Sequence, residues 1–215
     1  MMNVGVIGCG NIAETYFRAQ DYFNNINFIA CSDINLEAAK KASIQHNVEA
    51  LTIDEMLNSK NIDLILNLTI PQAHYEVSKK CLLSGKNVYS EKPMSVKFDQ
   101  AKELVNLAKE KNLYIGNAPD TFLGGGGQLS REIIDKGDIG KILTGNFIFA
   151  FPGVQEFHPS PESWYQEGGG PVIDMGPYFF TTLVNLLGPA KNIRGRGVKF
   201  SDKREYLSLI HISEP

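Results

Sequence analysis

The sequence predicts an α/β fold: a doubly wound parallel sheet at the N-terminal end, followed by a smaller and incomplete α+β region. Three observations carry that expectation. Short apolar runs alternate with helical patterns from residue 3 to residue 118. The stretch Gly8-Cys9-Gly10-Asn11-Ile12-Ala13 stands between the first run and the first helical pattern. The alternation then stops near residue 118, where a glycine-rich segment begins. Repeated strand, helix, strand is the pattern of a parallel sheet with helices on both faces.

The elements follow in order. "NVGVIG" is a buried strand, and "NIAETYFRAQ" spaces Ile12, Tyr16 and Ala19 at helical intervals. "NFIACSD" is a second strand, and "NLEAAKKASIQHN" the helix after it. "IDLILNLT" is the most apolar run, which predicts a central strand covered on both faces. Pro71 suits the first turn of the next helix and Gly85 its end. "KNVYS" is a further strand. "VKFDQAKELVNLAKEKN" puts Ala101, Leu104, Val105 and Ala108 on one helical face, and "LYIGNA" closes the series.

The second region opens with "PDTFLGGGG", read as a loop, then a helical "QLSREIIDKG" and a strand-like "KILTGNFIFAF". A Pro-rich loop containing His158, Trp164 and Tyr165 leads to "DMGPYFFTTLVNLLG", with Phe180, Leu183, Val184 and Leu187 at helical spacing. "KNIRGRGVKF" reads as one more strand. Two or three strands and two helices are thin for an independent domain. The expected division is therefore 1–118, 119–206 and a tail, 207–215. The tail, "LSLIHISEP", resembles the translation of a transposase-type sequencing adapter at all nine positions from Leu207 to Pro215. That implies a natural chain that continues differently after Tyr206. The other reading of the tail is an amphipathic strand.

Composition narrows the function. The 215 residues carry a net charge of −3, so no bulk attraction to nucleic acid or to an anionic membrane is expected. No apolar run approaches the ~20 residues of a membrane span. The start "MMNVGVIGCG" enters a strand at once, which predicts no signal peptide and a cytoplasmic protein. Cys9, Cys31 and Cys81 show no metal-ligand spacing and read as reduced, partly buried thiols.

Gly8-Cys9-Gly10-Asn11-Ile12-Ala13 is G-x-G-x-x-A between strand and helix. The first glycine permits a tight turn, the second lets backbone approach a pyrophosphate, and Ala13 allows close helix–strand packing. Asn11 and Ile12 lie where phosphates would meet backbone N–H groups. Asp33 ends the second strand, where a carboxylate accepts ribose hydroxyls. No arginine or lysine follows at once, which favours NAD over NADP. The plain alternative is that Asp33 caps the next helix. In "VYSEKPMSV", Glu91 and Lys92 end a strand whose carboxyl edge neighbours the glycine loop. A lysine there could stabilise a developing alkoxide; the plain alternative is a solvated charge pair.

At these residues the chain resembles the Gfo/Idh/MocA oxidoreductases. The likeness runs through "GVIGCGNIA", "CSDIN", "NLTIPQAHYEVSKKCLLSGKNVYSEKPMSV", "DKGDIGKI" and "GGGPVIDMGPYFFTTLVNLLGPAK". The resemblance implies a Rossmann domain joined to a second domain with an open, largely antiparallel sheet. It also implies NAD(P)-linked oxidation or reduction of sugars, polyols or related alcohols, and a homo-oligomer for the full-length protein. Thr69, Pro71 and His74 would lie beside the cofactor, with Glu91 and Lys92 near the nicotinamide. His74 could instead be a helix-start residue satisfied by backbone. The family places a histidine four residues after an aspartate as acid/base. Here Asp174 matches and Tyr178 stands in the histidine's place.

Hydride is then expected to pass between the nicotinamide and a carbinol carbon. Tyr178 would serve as acid/base, Lys92 as its electrostatic partner and Asp174 as the orienting group, with positions 174 and 178 on one helical face. An ammonium beside a phenol lowers the phenol's pKa from about 10. Trp164, Tyr165 and His158 could stack on or bond a sugar. Two other functions remain open: a regulator that senses dinucleotide without turnover, and an NAD-dependent glycosidase. No metal is expected.

Overall fold

The computed structural model describes residues 1–150, 153–156, 161–166 and 168–198. The chain divides into two units, Met1–Pro119 and Asp120–Pro215. The tail 207–215, His158 and the end of the expected strand 191–200 lie outside the described residues.

The first unit is built on six strands: β1 Met2–Ile7, β2 Ile26–Ser32, β3 Glu49–Ala50, β4 Leu64–Asn67, β5 Asn87–Ser90 and β6 Ile115–Asn117. All pairings are parallel, in the order β3-β2-β1-β4-β5-β6. Between them run α1 Ala13–Ala19, α2 Leu36–His46, α3 Ile53–Asn58, α4 Pro71–Leu83 and α5 Phe98–Glu110. Side chains alternate across the sheet with a period of two, and each face has its own core. Val4, Val6, Phe28, Cys31 and Leu66 pack on Ala13 and Phe17 of α1 and Ala42 of α2. Ile7, Ala30, Ile65 and Val88 pack on α3, α4 and α5 through Met56, Leu82, Leu104 and others. Covered on both sides, the central strands β1, β2 and β4 bury consecutive residues rather than every second one.

Several local expectations meet their structure here. Pro71 opens α4, and Gly85 at φ +79° follows its cap. The Lys86 N–H donates to the Cys81 carbonyl at 3.0 Å, closing the helix end. Leu104 and Ala108 are the buried residues of α5. Two details differ. The buried face of α1 is Ala13 and Phe17, while Ile12 is 42% exposed because it precedes the helix as its N-cap. The pair β3 and α3 was not foreseen, because a two-residue strand leaves no periodic signal. One irregularity lies in β2: Val4 pairs with Phe28 but Gly5 with Ala30, so Ile29 is an extra residue in the ladder.

The second unit contains α6 Gly125–Lys136, α7 Pro171–Asp174 and α8 Gly176–Leu187, with 3₁₀ turns at Thr121–Leu123, Val154–Glu156 and Pro161–Tyr165. The expected glycine loop is only half a loop, since three of the four glycines begin α6. Gly127 explains why: a Cβ there would lie 2.2 Å from the Phe122 carbonyl oxygen, so the first turn closes over backbone that no larger residue could approach. The Arg131 guanidinium donates to the Asn185 and Leu186 carbonyls at 2.8 and 2.9 Å, tying α6 to the end of α8. The expected strands over 141–151 and 191–200 are not formed in their described parts, 141–150 and 191–198. A strand exists only as half of a ladder, and the described residues of this unit supply no partner. Phe180, Val184 and Leu187 share a helix as expected but are 51 to 59% exposed rather than core.

Candidate dinucleotide and substrate site

Strand order reverses between β1 and β4, and the carboxyl ends of these strands flank the crevice where such sheets bind ligands. β1 runs out into Gly8, whose φ of +102° few other residues adopt. A Cβ on Gly8 would lie 2.6 Å from the Leu68 carbonyl carbon, so the loops after β1 and β4 touch backbone to backbone. The Gly8 N–H donates to the Ser32 carbonyl at 2.8 Å. Gly10 is the opposite case: a Cβ would meet nothing within 4 Å. The open space is on the exposed side of the turn, with Gly10, Asn11 and Ile12 around it, while Ala13 is buried against the sheet. A tight first glycine, an unobstructed second and a buried small third residue fit a pyrophosphate-holding turn.

Asp33 is half-buried and holds this turn. Its Oδ2 accepts the Cys9 N–H and its Oδ1 the Asn35 N–H, both at 2.7 Å. Each carboxylate oxygen keeps a second lone pair, so capacity remains for ribose hydroxyls. Capping of α2 falls to another residue. Asn35 Oδ1 accepts from the N–H groups of Glu37 and Ala38.

On the other side of the crevice, Thr69 and Pro71 form the loop into α4. The Thr69 hydroxyl donates to Asn67 Oδ1 at 2.7 Å. Asn67 is fully buried and its amide donates to the His74 carbonyl and the Ser78 hydroxyl. His74, 1% exposed, places Nε2 2.8 Å from the Thr69 carbonyl and Nδ1 2.6 Å from the Pro93 carbonyl. The ring therefore sits behind the loop and joins it to the turn after β5.

That turn carries Glu91 and Lys92. The Glu91 N–H donates to the Asn67 carbonyl at 2.9 Å, and its carbonyl accepts from the Asn117 amide at 2.9 Å. Its carboxylate is shared. Oε1 accepts the Tyr16 hydroxyl at 2.7 Å, and Oε2 accepts the Lys92 backbone N–H at 3.0 Å. Lys92 is half-buried and precedes Pro93 through a cis peptide bond. Glu91 is thus a bonded structural group, not one of two free surface charges. Tyr16, Asn67 and Asn117 were not singled out from the sequence as site residues. Tyr16 looked like one more apolar helix position, and nothing in a linear pattern reports which residue its hydroxyl will reach.

In the second unit Asp174 is the last residue of α7, and Tyr178 lies in the first turn of α8. The continuous helix expected through both is broken at Met175, ahead of Pro177. Met175 keeps right-handed dihedrals (φ −99°, ψ −27°), so the four-residue offset still spans about one turn. Trp164 is half-buried and Tyr165 is 48% exposed, its hydroxyl donating to Gln155. A cavity of about 550 Å³ in this unit is lined by Phe147, Phe149, Met175, Phe179 and Phe180 among others, and neither Asp174 nor Tyr178 lines it. Among the described residues no group of His, Cys, Asp and Glu is placed to hold a metal ion, and no helix is long and apolar enough to cross a membrane.

Residues 2–118 match the profile described as "Oxidoreductase family, NAD-binding Rossmann fold", and residues 128–211 match the "GFO/IDH/MocA C-terminal domain". The chain belongs to the Gfo/Idh/MocA oxidoreductase family. Its first unit is the NAD-binding Rossmann domain of that family. The second match runs on into the tail segment, as far as residue 211. An uncharacterized oxidoreductase of Schizosaccharomyces pombe is 30% identical over 156 residues, 70% of this chain and 41% of that protein. A D-xylose dehydrogenase of Paenarthrobacter nicotinovorans is 26% identical over 149 residues, 67% of this chain and 38% of that one. Among solved structures, the WlbA dehydrogenase of Bordetella pertussis in complex with NADH and UDP-GlcNAcA has a TM-score of 0.76 at 23% identity, covering 87% of this chain and 56% of that one. At that identity the likeness supports the fold. The Gfo/Idh/MocA relatives include sugar dehydrogenases, and this chain spans about half of their length or less.

Proposed function

We propose that the full-length protein is a nicotinamide-dependent oxidoreductase acting on the carbinol carbon of a sugar, polyol or related alcohol. One observation carries this reading: the open turn at Gly10, after β1 at the point of reversal, and the bonded Glu91–Lys92 turn, after β5 one strand beyond β4, sit at the carboxyl edge of one sheet. When bound, the dinucleotide supplies the hydride chemistry. Gly8, Gly10, Asn11 and Ile12 hold its pyrophosphate, and Asp33 accepts the ribose hydroxyls. Ile34, Asn35, Leu36 and Glu37 follow Asp33 with no lysine or arginine among them, so NAD is preferred to NADP. Thr69 and Pro71 line the loop opposite, and His74 supports it.

The chain's own residues handle the proton. Tyr178 exchanges the hydroxyl proton as acid/base, Lys92 stabilises negative charge on the substrate oxygen, and Asp174 orients the pair. Trp164 and Tyr165 offer aromatic surface to a sugar ring. A homo-oligomer of the full-length protein belongs to the same proposal. The test is sugar-dependent reduction of NAD by the full-length protein. Tyr178→Phe and Lys92→Ala should each lower kcat by ~10²–10⁴-fold, with NADH affinity within a few-fold for Tyr178→Phe. Full activity of Tyr178→Phe removes the proposed acid/base. Dinucleotide binding with no turnover of any alcohol would return the protein to a sensing role.

A further inference from the structure

We propose that Tyr16 is a positioning residue that fixes the Lys92 turn through Glu91, linking the helix after the glycine turn to the turn after β5. The role assigned to Lys92 rests on the function proposed above. The bonds themselves do not.

Glu91 spends its two carboxylate oxygens on two different segments. Oε1 takes the Tyr16 hydroxyl at 2.7 Å from α1, and Oε2 takes the Lys92 backbone N–H at 3.0 Å. Tyr16 and Glu91 are 75 residues apart in sequence and both are partly buried. Bonds of a neutral donor to an ionised acceptor are among the stronger ones in proteins. Tyr16 cannot move freely, because its ring packs against the apolar cluster of α1, β1 and β4. It is also one turn along from Ala13, where α1 leaves the glycine turn. Other bonds hold the main chain of the Lys92 turn: Asn67 takes the Glu91 N–H, Asn117 the Glu91 carbonyl, and His74 meets the Pro93 carbonyl. None of those fixes the Glu91 carboxylate. Without the phenol's hydrogen bond the Glu91 carboxylate loses its tie to α1 and can rotate about its side chain, taking the acceptor of the Lys92 N–H with it. The lysine's aim then widens, and a misplacement of the order of 1 Å can cost ~10²-fold in rate.

Tyr16→Phe keeps the ring and removes only the hydroxyl. Two readouts in the full-length protein decide the matter. In hydrogen exchange, the peptide over residues 88–96 should exchange faster at Lys92, with β1 and β4 unchanged. In steady-state kinetics, kcat should fall ~10-fold, while NADH affinity and substrate KM stay within about 2-fold. Placing Tyr16→Phe on a Glu91→Gln background should add less than about 2-fold to the loss, because the phenol acts through that carboxylate. Where the wild type turns over an alcohol, the proposal needs both the local exchange change and the kcat loss, and either one without the other overturns it. Faster exchange throughout α1 and β1 makes Tyr16 a packing residue and also overturns it. If the wild-type protein turns over no alcohol, the oxidoreductase reading fails, and exchange at Lys92 alone then decides whether Tyr16 holds the turn.

Discussion

At the scale of single residues, Gly8 and Gly10 share a motif but do different work, and substitution separates them. Gly8→Ala places a Cβ on backbone at φ +102° and 2.6 Å from Leu68. The conformational cost alone is roughly 1–2 kcal/mol, and the clash adds to it. A lower denaturant midpoint should accompany its loss of NADH binding. Gly10→Ala meets no atom within 4 Å, so its midpoint should match the wild type while NADH affinity falls ~10-fold, the cost of crowding a fitted contact. Equal stability losses in the two variants would contradict the pyrophosphate assignment at Gly10. The glycine spacing and Asp33 were legible in the sequence because their chemistry is local: a turn, and a carboxylate at a strand end. The Tyr16–Glu91 bond was not, since it depends on how α1 lies over the sheet.

At the scale of elements, α3 shows what a short helix needs. Thr52 and Glu55 form a reciprocal capping box, with the Thr52 side chain on the Glu55 N–H and the Glu55 carboxylate on the Thr52 N–H and hydroxyl. The pattern T-x-x-E was readable in "TIDE" and would have located the helix. The same bonds from the Thr52 side chain and then its backbone hold the Glu55 carboxyl below its usual value. A carboxyl with a lowered folded pKa adds stability above its unfolded pKa of ~4.3, and that stability is lost as pH falls through the folded value. The midpoint difference between wild type and Glu55→Gln should therefore be present at pH 7 and shrink toward pH 3. A difference that is constant across that range would show that the charge plays no part. The helix break at Met175 and the helical glycines of α6 were missed for different reasons. The glycines depend on the neighbouring backbone, Phe122 in the case of Gly127, and not on propensity, whereas the break precedes Pro177 and was open to a closer reading of the sequence.

At the scale of the whole molecule, the two units differ in how much apolar surface they bury. Both cores belong to Met1–Pro119, and the buried residues of that unit pack on one another. Residues 1–119 expressed alone should unfold cooperatively and bind NADH. In the second unit Phe180, Val184 and Leu187 are half exposed or more. The 215-residue chain should consequently bind a hydrophobic dye, and residues 1–119 should bind much less. Equal dye binding by both would place the exposed apolar surface elsewhere. The parallel sheet was readable because every strand but the two-residue β3 lies in an apolar run of its own. In their described parts the expected strands of the second unit are not realised, because a ladder needs a partner that sequence periodicity cannot name. The extra residue in β2 has a practical consequence for redesign. Ile29 moves the pairing by one, so that Ser32 ends opposite Ile7 and Asp33 comes to rest against Cys9. Anyone retuning the nucleotide preference by grafting a loop from another protein should count backward from the Ile7–Ser32 rung. Counting forward from the start of the strand would deliver the graft one position out, on the wrong side of the sheet.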